Sequence, residues 1–296
     1  MSVRKPFVVC PGSAKAGTTS LHALMAQHPD VAVTRVKESD YFVDPGLYGR
    51  GCAHYWDNFF EDKPDARMYF EADPIYMYAH GCMRRIAECA PDARVVVMLR
   101  NPVDRAYSQY LYRQTYARYD ESFEDMCARE DARISRSEED RLEYGCIDRS
   151  RYAPQIGEIL THFPRERLYV IVFERFIRDQ SGEFNRVLEW LGLPPLEVEP
   201  ARENVGGSAR SVGLARLLYH PGYRNLRGMV GSVLPNGVRQ RIFGAVAAAN
   251  ARESTPEERM PLDRVLRRRL LDELAPDIRE VETLTGADLA LWLERA

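Results

Sequence analysis

The sequence predicts an α/β fold: one domain whose central parallel sheet is flanked by helices and whose core is P-loop-like and binds a nucleotide. Three observations predict it. An apolar run at residues 6–10 feeds the loop Pro11-Gly12-Ser13-Ala14-Lys15-Ala16-Gly17, and a helical stretch follows from Thr18. Two further apolar runs, residues 95–99 and 168–173, have the near-continuous character of parallel strands covered on both faces. Segments of helical spacing alternate with these runs, which implies right-handed crossovers.

Taken in chain order, the strands are predicted at residues 7–10, 68–70, 95–99 and 168–173, where β-branched and apolar residues bunch. Helices are predicted at residues 18–27, 81–89, 103–118, 152–162 and 182–191. Residues 213–250 mix Leu214, Leu217 and Leu218 with five arginines, punctuated by Pro221, Gly222, Pro235 and Gly237. They read as a helical pair capping the site, and a basic amphipathic patch on a membrane surface is the other reading. Residues 262–274, 278–284 and Trp292 read as closing helices. With no repeat and no low-complexity linker, residues 1–296 form one domain, with a core at about 6–195 and a cap and closing segment at about 196–296.

Composition bounds the function. The 296 residues carry a net charge of -3 with acids and bases interspersed, so nothing marks a global nucleic-acid footprint. Any anion site must be local. The six cysteines form no C-x-x-C pair and no cluster with histidine, so no metal site is expected. They read as free thiols of a reducing compartment, with Cys10 buried in a strand. No run approaches the ~20 apolar residues of a membrane span, and residues 1–5 lead straight into the first strand without a signal-peptide core.

The loop carries the chemistry. Backbone N–H groups of such a turn converge at a helix N-terminus, where the dipole favours an anion. Gly12 and Gly17 have P-loop spacing, yet Thr18 stands where a nucleotide triphosphatase needs lysine, and the lysine is Lys15. This phosphate cradle has its cation displaced. A second anchor is Arg100-Asn101-Pro102, at the carboxyl end of an apolar strand where open α/β sheets bind ligands, with Ser108 two turns along the next helix. A guanidinium fork and a hydroxyl suit a terminal phosphate.

The block Pro11 to Leu21 resembles the 5′-phosphosulfate loop of sulfotransferases that use 3′-phosphoadenosine-5′-phosphosulfate (PAPS), in particular the heparan-sulfate and bacterial branch. The resemblance covers about residues 6–195. It implies that Ser13, Ala14, Lys15, Ala16, Gly17, Thr18, Thr19 and Ser20 cradle the 5′-phosphosulfate, and that Arg100 and Ser108 hold the 3′-phosphate. In Lys37-Glu38-Ser39-Asp40-Tyr41-Phe42, Glu38 matches the family's general base, with Asp40 as rival. The acceptor must lose a proton as sulfur is attacked, so a carboxylate within reach is required. His22 and His54 match no motif.

Three weaker correspondences follow. Tyr152 opens a helix where relatives contact the cofactor. Arg210, favoured slightly, and Arg259 compete to close over the 3′-phosphate. At Phe70-Glu71-Ala72-Asp73-Pro74, Ala72 replaces a family lysine. Either another cation, Lys37 being the nearest, takes its role or the acceptor is less anionic; alternatively Glu71 and Asp73 hold a cationic acceptor. The resemblance implies sulfuryl transfer from PAPS, with 3′,5′-ADP as product and no metal, to a hydroxyl or amine of a small molecule or carbohydrate. The membrane anchor of Golgi relatives is missing, which implies a cytoplasmic bacterial enzyme. The alternatives are a P-loop kinase, which would need lysine at position 18, and a non-catalytic nucleotide-binding module.

Overall fold

The computed structural model describes residues 5–115, 121–201, 207–209, 251–253 and 262–294. Five parallel strands form its main sheet: β1 (Phe7–Cys10), β2 (Val31–Val33), β3 (Met68–Ala72), β4 (Arg94–Leu99) and β5 (Leu168–Val172), in the order β2-β3-β1-β4-β5. The register places Cys10 beside Ala72 and Leu99 beside Val172, so the carboxyl ends of the strands share one edge. Sequence reasoning missed β2. It is three residues long and follows His28-Pro29-Asp30, too short to display a strand period.

The all-apolar strands are explained by two-sided cover. Val95, Val97 and Leu99 pack with helices α4 (Cys82–Cys89), α8 (Tyr152–His162) and α11 (Arg264–Thr285) through Ile86, Ile156, Ile159 and Ile278. Val96 and Met98 pack on the other face with α1 (Thr18–Gln27) and α10 (Gln180–Leu191) through Leu21, Leu24, Phe184 and Leu188. Burying such side chains contributes roughly 1.5–3 kcal/mol each, and it fixes the sheet that aims the loops.

Helix α5 (Pro102–Thr115) follows β4 and begins with proline, whose missing N–H costs nothing at a helix start. Helices α2 (Pro45–Tyr48) and α3 (Cys52–Asn58) precede β3, and α6 (Phe123–Ile134) and α7 (Glu138–Tyr144) follow α5. The turn α9 (Phe173–Phe176) follows β5. Where the sequence reads as two segments at 262–274 and 278–284, the single helix α11 (Arg264–Thr285) runs through Pro276, and α12 (Ala290–Leu293) follows with Trp292 buried. Strands β6 (Gly207–Ala209) and β7 (Ala251–Glu253) pair antiparallel. The expected cap at 213–250 lies outside the described residues. Among the described residues, no helix is long and apolar enough to cross a membrane.

One expectation is corrected. The cysteines are not all free: Cys52 at the start of α3 and Cys89 at the end of α4 form a disulfide with Cα atoms 5.3 Å apart. Their 37-residue separation hides the pair from spacing rules, and only the fold brings the two helix ends together. Cys10, Cys82, Cys127 and Cys146 are free thiols. The cysteines therefore lend no support to a reducing compartment.

Candidate active site

The loop between β1 and α1 closes tightly for stated reasons. Ser13 donates both its N–H and its hydroxyl to the carbonyl of Met98, at 2.7 and 3.1 Å, which staples the loop to β4. Gly12 lies against Met77, and a Cβ there would stand 2.8 Å from the Met77 Cβ. Gly17 has φ +92° and packs on the Phe173 ring, so a side chain at this position would be both strained and crowded. Gly17 is also the N-cap of α1, and no side chain caps that helix end. The first N–H groups of α1 are thus left for a ligand at the positive end of a ten-residue helix. Ala16, Thr18 and Ser20 are buried in this turn and Thr19 is exposed.

Lys15 has φ +70°. Its carbonyl accepts a 3.1 Å hydrogen bond from Arg100 Nη1. Arg100 also lies over the Phe173 ring, 4.8 Å from its centroid. Loop and strand end are therefore locked together, and Ser108 stands half-buried on α5 beyond them. The Lys15 ammonium is pushed down to about 8, first by burial and then by the Arg100 charge, with Glu38 opposing. Arg100, Arg105 and Lys37 thus place like charges around the Lys15 ammonium, a setting whose chemistry suits an anion.

Tyr152 is fully buried, and its hydroxyl donates to the Arg100 carbonyl at 2.9 Å. It thereby holds the backbone of Arg100 from beneath. Tyr152 starts α8, whose first N–H groups, those of Tyr152 and Ala153, donate to the Asp277 carboxylate of α11 at 2.8 and 3.0 Å. Glu174 ties the same region by accepting from Asn101 N–H and from the Trp292 indole. Arg210 and Arg259 lie outside the described residues.

Glu38 and Asp40 adopt φ +61° and +55°, a conformation that side-chain-bearing residues rarely hold without support. The support is a buried carboxylate. Glu71 accepts hydrogen bonds from the hydroxyls of Ser39, Tyr55 and Tyr76. The Asp40 N–H donates to Asp73 Oδ2 at 2.9 Å. Directly before these two anchored residues the Glu38 side chain is half-exposed and pairs with Lys37. Burial raises Asp40, and the neighbouring Glu38 charge adds to it. Burial and then Glu71 push Asp73 up to about 8. Glu71 has no exposed surface and carries three hydroxyls on its oxygens, so it anchors the segment from inside the core and does not face an acceptor. Ala72 is buried inside β3. His54 lies on α3 beside Asn58, and His22 lies against Phe70 with burial lowering its pKa.

The family model described as Sulfotransferase family matches residues 44–197. The chain belongs to the sulfotransferase family. The match includes Arg100 and Ser108 and begins after the loop and Glu38. Human heparan sulfate glucosamine 3-O-sulfotransferase 3B1 is 30% identical over 201 residues, which are 65% of this chain and 47% of that protein. Human bifunctional heparan sulfate N-deacetylase/N-sulfotransferase 3 is 26% identical over 200 residues, 65% of this chain and 23% of that one. The chain thus spans about half or less of these curated relatives. A crystal structure of a sulfotransferase from Alicyclobacillus acidocaldarius superposes with a TM-score of 0.66 at 25% identity, over 99% of this chain and 100% of that one. That superposition spans the loop as well.

Two residues that touch this candidate site escaped sequence reasoning. Phe173 opens α9 directly after β5 and underlies both Gly17 and Arg100. Tyr112 sits on α5 with Lys15 Nζ 4.2 Å from its ring centroid. The helical period from Ser108 to Tyr112 was the available signal for the latter.

Proposed function

We propose that this sulfotransferase moves the sulfuryl group of PAPS to a hydroxyl or amine, releasing 3′,5′-ADP. The observation that carries the proposal is the Arg100 to Lys15 carbonyl bond. It joins a cradle suited to one phosphate to a guanidinium suited to a second, and PAPS carries both. In this reading the N–H groups of residues 16–20 and the Lys15 ammonium stabilise the charge that grows on the departing 5′-phosphate. Arg100 and Ser108 hold the 3′-phosphate, and Arg210 or Arg259 closes over it. Glu38 takes the proton from the acceptor as the new bond to sulfur forms and the bond from sulfur to the phosphate oxygen breaks. The half-exposed Glu38 carboxylate stands on a braced segment, which supports its reading as base, whereas Asp40 spends its own N–H on Asp73 and has its carboxyl pKa raised. Positioning and electrostatics account for most of the rate.

For the acceptor we propose a carbohydrate or a small molecule, because relatives named for heparan sulfate share the core. With Ala72 buried, Lys37 is the nearest cation beside Glu38 and takes the place of the family lysine. Calorimetry with 3′,5′-ADP, 5′-AMP and ATP tests the donor reading. Tight binding of 3′,5′-ADP and weak binding of ATP, both unaltered by EDTA, is expected. A preference for ATP, or transfer abolished by EDTA, overturns it.

A further inference from the structure

The Lys15 ammonium has an unusual setting. Arg100 at the end of β4, Arg105 on α5 and Lys37 after β2 all act on it with like charge, and Glu38 acts with opposite charge. Among the described residues no carboxylate comes within ion-pair distance of it. Its direct contact is the face of the Tyr112 ring, 4.2 Å from Nζ to the centroid. Tyr112 is on α5, one turn past Ser108 on the same face, and is 44% exposed at the mouth of the site. An ammonium over an aromatic face is attracted by the ring quadrupole, the more so where water is partly excluded.

We infer that Tyr112 is a positioning residue for Lys15: its ring face keeps the ammonium charged and holds it over the loop until a donor phosphate takes it. Its place is specific. Lys15 is held at the backbone by Arg100, so the side chain has one end fixed and one end free. A ring on the facing helix restrains that free end without a carboxylate, whose charge would compete with the incoming phosphate. Burial and the neighbouring arginine already bring the Lys15 pKa to about 8, so a small change in stabilisation alters its charge near neutral pH. The sign is fixed. Removing a group that favours the charged form lowers the pKa further, and the protonated fraction at neutral pH falls.

The inference rests on Lys15 being the cation that receives the leaving phosphate, but its first test does not. Competitive labelling of the donor-free full chain with acetic anhydride across a pH series, read by mass spectrometry on the Lys15 peptide, measures the pKa of that amine directly. Tyr112→Leu keeps the apolar bulk and removes the π face. It is expected to lower the Lys15 pKa by about 0.5–1 pH unit, the equivalent of one partly exposed cation–π contact. Tyr112→Phe keeps the face and is expected to leave the pKa unchanged. An unchanged pKa in the leucine variant, or equal shifts in both variants, overturns the inference. The second measurement is the alkaline limb of kcat/KM for the donor, which moves to lower pH in Tyr112→Leu alone. A labelling shift without movement of that limb leaves the Tyr112–Lys15 contact standing and removes Lys15 from the leaving-group role.

Discussion

Arg100 and Lys15 are joined backwards: the guanidinium of the strand-end residue donates to the carbonyl of the loop residue, 3.1 Å away, while the lysine ammonium points elsewhere. Two like charges are thus held close through a backbone atom, with burial and mutual repulsion both acting on Lys15. Such an arrangement costs free energy in the empty protein and recovers it when an anion arrives. It follows that donor binding should raise stability beyond what a neutral loop would gain. The roles of the two charged loop-side residues should also separate kinetically.

Lys15→Ala is expected to weaken 3′,5′-ADP binding and to lower turnover, because the ammonium meets a phosphate charged both before and during reaction. Glu38→Gln is expected to leave 3′,5′-ADP affinity nearly unchanged and to cut turnover by ~10²-fold or more, as for a lost general base. Steady-state kinetics with calorimetry on both variants separates the effects. If Asp40→Asn abolishes turnover and Glu38→Gln does not, the base is Asp40.

The parallel core, the loop and the strand-end arginine were legible because each depends on local pattern. An all-apolar run such as Val95 to Leu99 can be buried only on two sides, and Gly17 at φ +92° is a position that sequence marks with glycine. What could not be read depends on pairs far apart in the chain. Asp277 caps α8 from a distance of more than a hundred residues, and Cys52 meets Cys89 across 37. Glu71 was misjudged for the same reason. As a sequence letter it is a charged residue near an acceptor site, and only the three hydroxyls around it make it a buried anchor.

The disulfide makes a prediction about the stability of the fold. Cys52 and Cys89 close a 37-residue loop, for which chain entropy gives roughly 2–4 kcal/mol of stabilisation. Cys52→Ser, or reduction of the wild type, is expected to lower the urea midpoint accordingly. Cys127→Ser, at a free thiol, should not respond to reductant differently from the wild type. An unchanged midpoint under reduction would show that the bridge contributes nothing to the fold.

Asp73 predicts a pH dependence. Its carboxyl is pushed from 3.8 to about 8 in the fold, by burial first and by Glu71 second. Between these values the native state keeps a proton that the unfolded chain has lost. The contribution of Asp73 therefore falls as pH rises from about 4 to about 8 and is level beyond, with a slope of at most ~1.4 kcal/mol per pH unit. Asp73→Asn removes this titration. The stability of wild type relative to the variant, measured by urea denaturation across that range, should decline with rising pH. A flat or rising difference would mean that the N–H donors of Asp40 and Ile75 keep the carboxylate ionised.

The sharpest prediction concerns which phosphate Arg100 reads. Its guanidinium spends one N–H on the Lys15 carbonyl and rests on the Phe173 ring, which restrains the fork at the strand end. Removing a charge-assisted, partly buried contact leaves a phosphate poorly paired, at a cost of ~2–5 kcal/mol. Arg100→Ala is therefore expected to weaken 3′,5′-ADP strongly and to change 5′-AMP, which lacks the 3′-phosphate, far less. Because the same guanidinium also braces the loop, some loss toward 5′-AMP is expected, of the size of one ordinary hydrogen bond, about 1 kcal/mol. Ser108→Ala should weaken 3′,5′-ADP by a similar ~1 kcal/mol and leave 5′-AMP unchanged, since no hydrogen bond among the described residues depends on that hydroxyl. The two losses should not add, because both groups act on one phosphate. Calorimetry on the single and double variants gives all of these numbers. Equal losses for the two nucleotides in Arg100→Ala would make Arg100 a support of the loop alone and would withdraw it from the 3′-phosphate site.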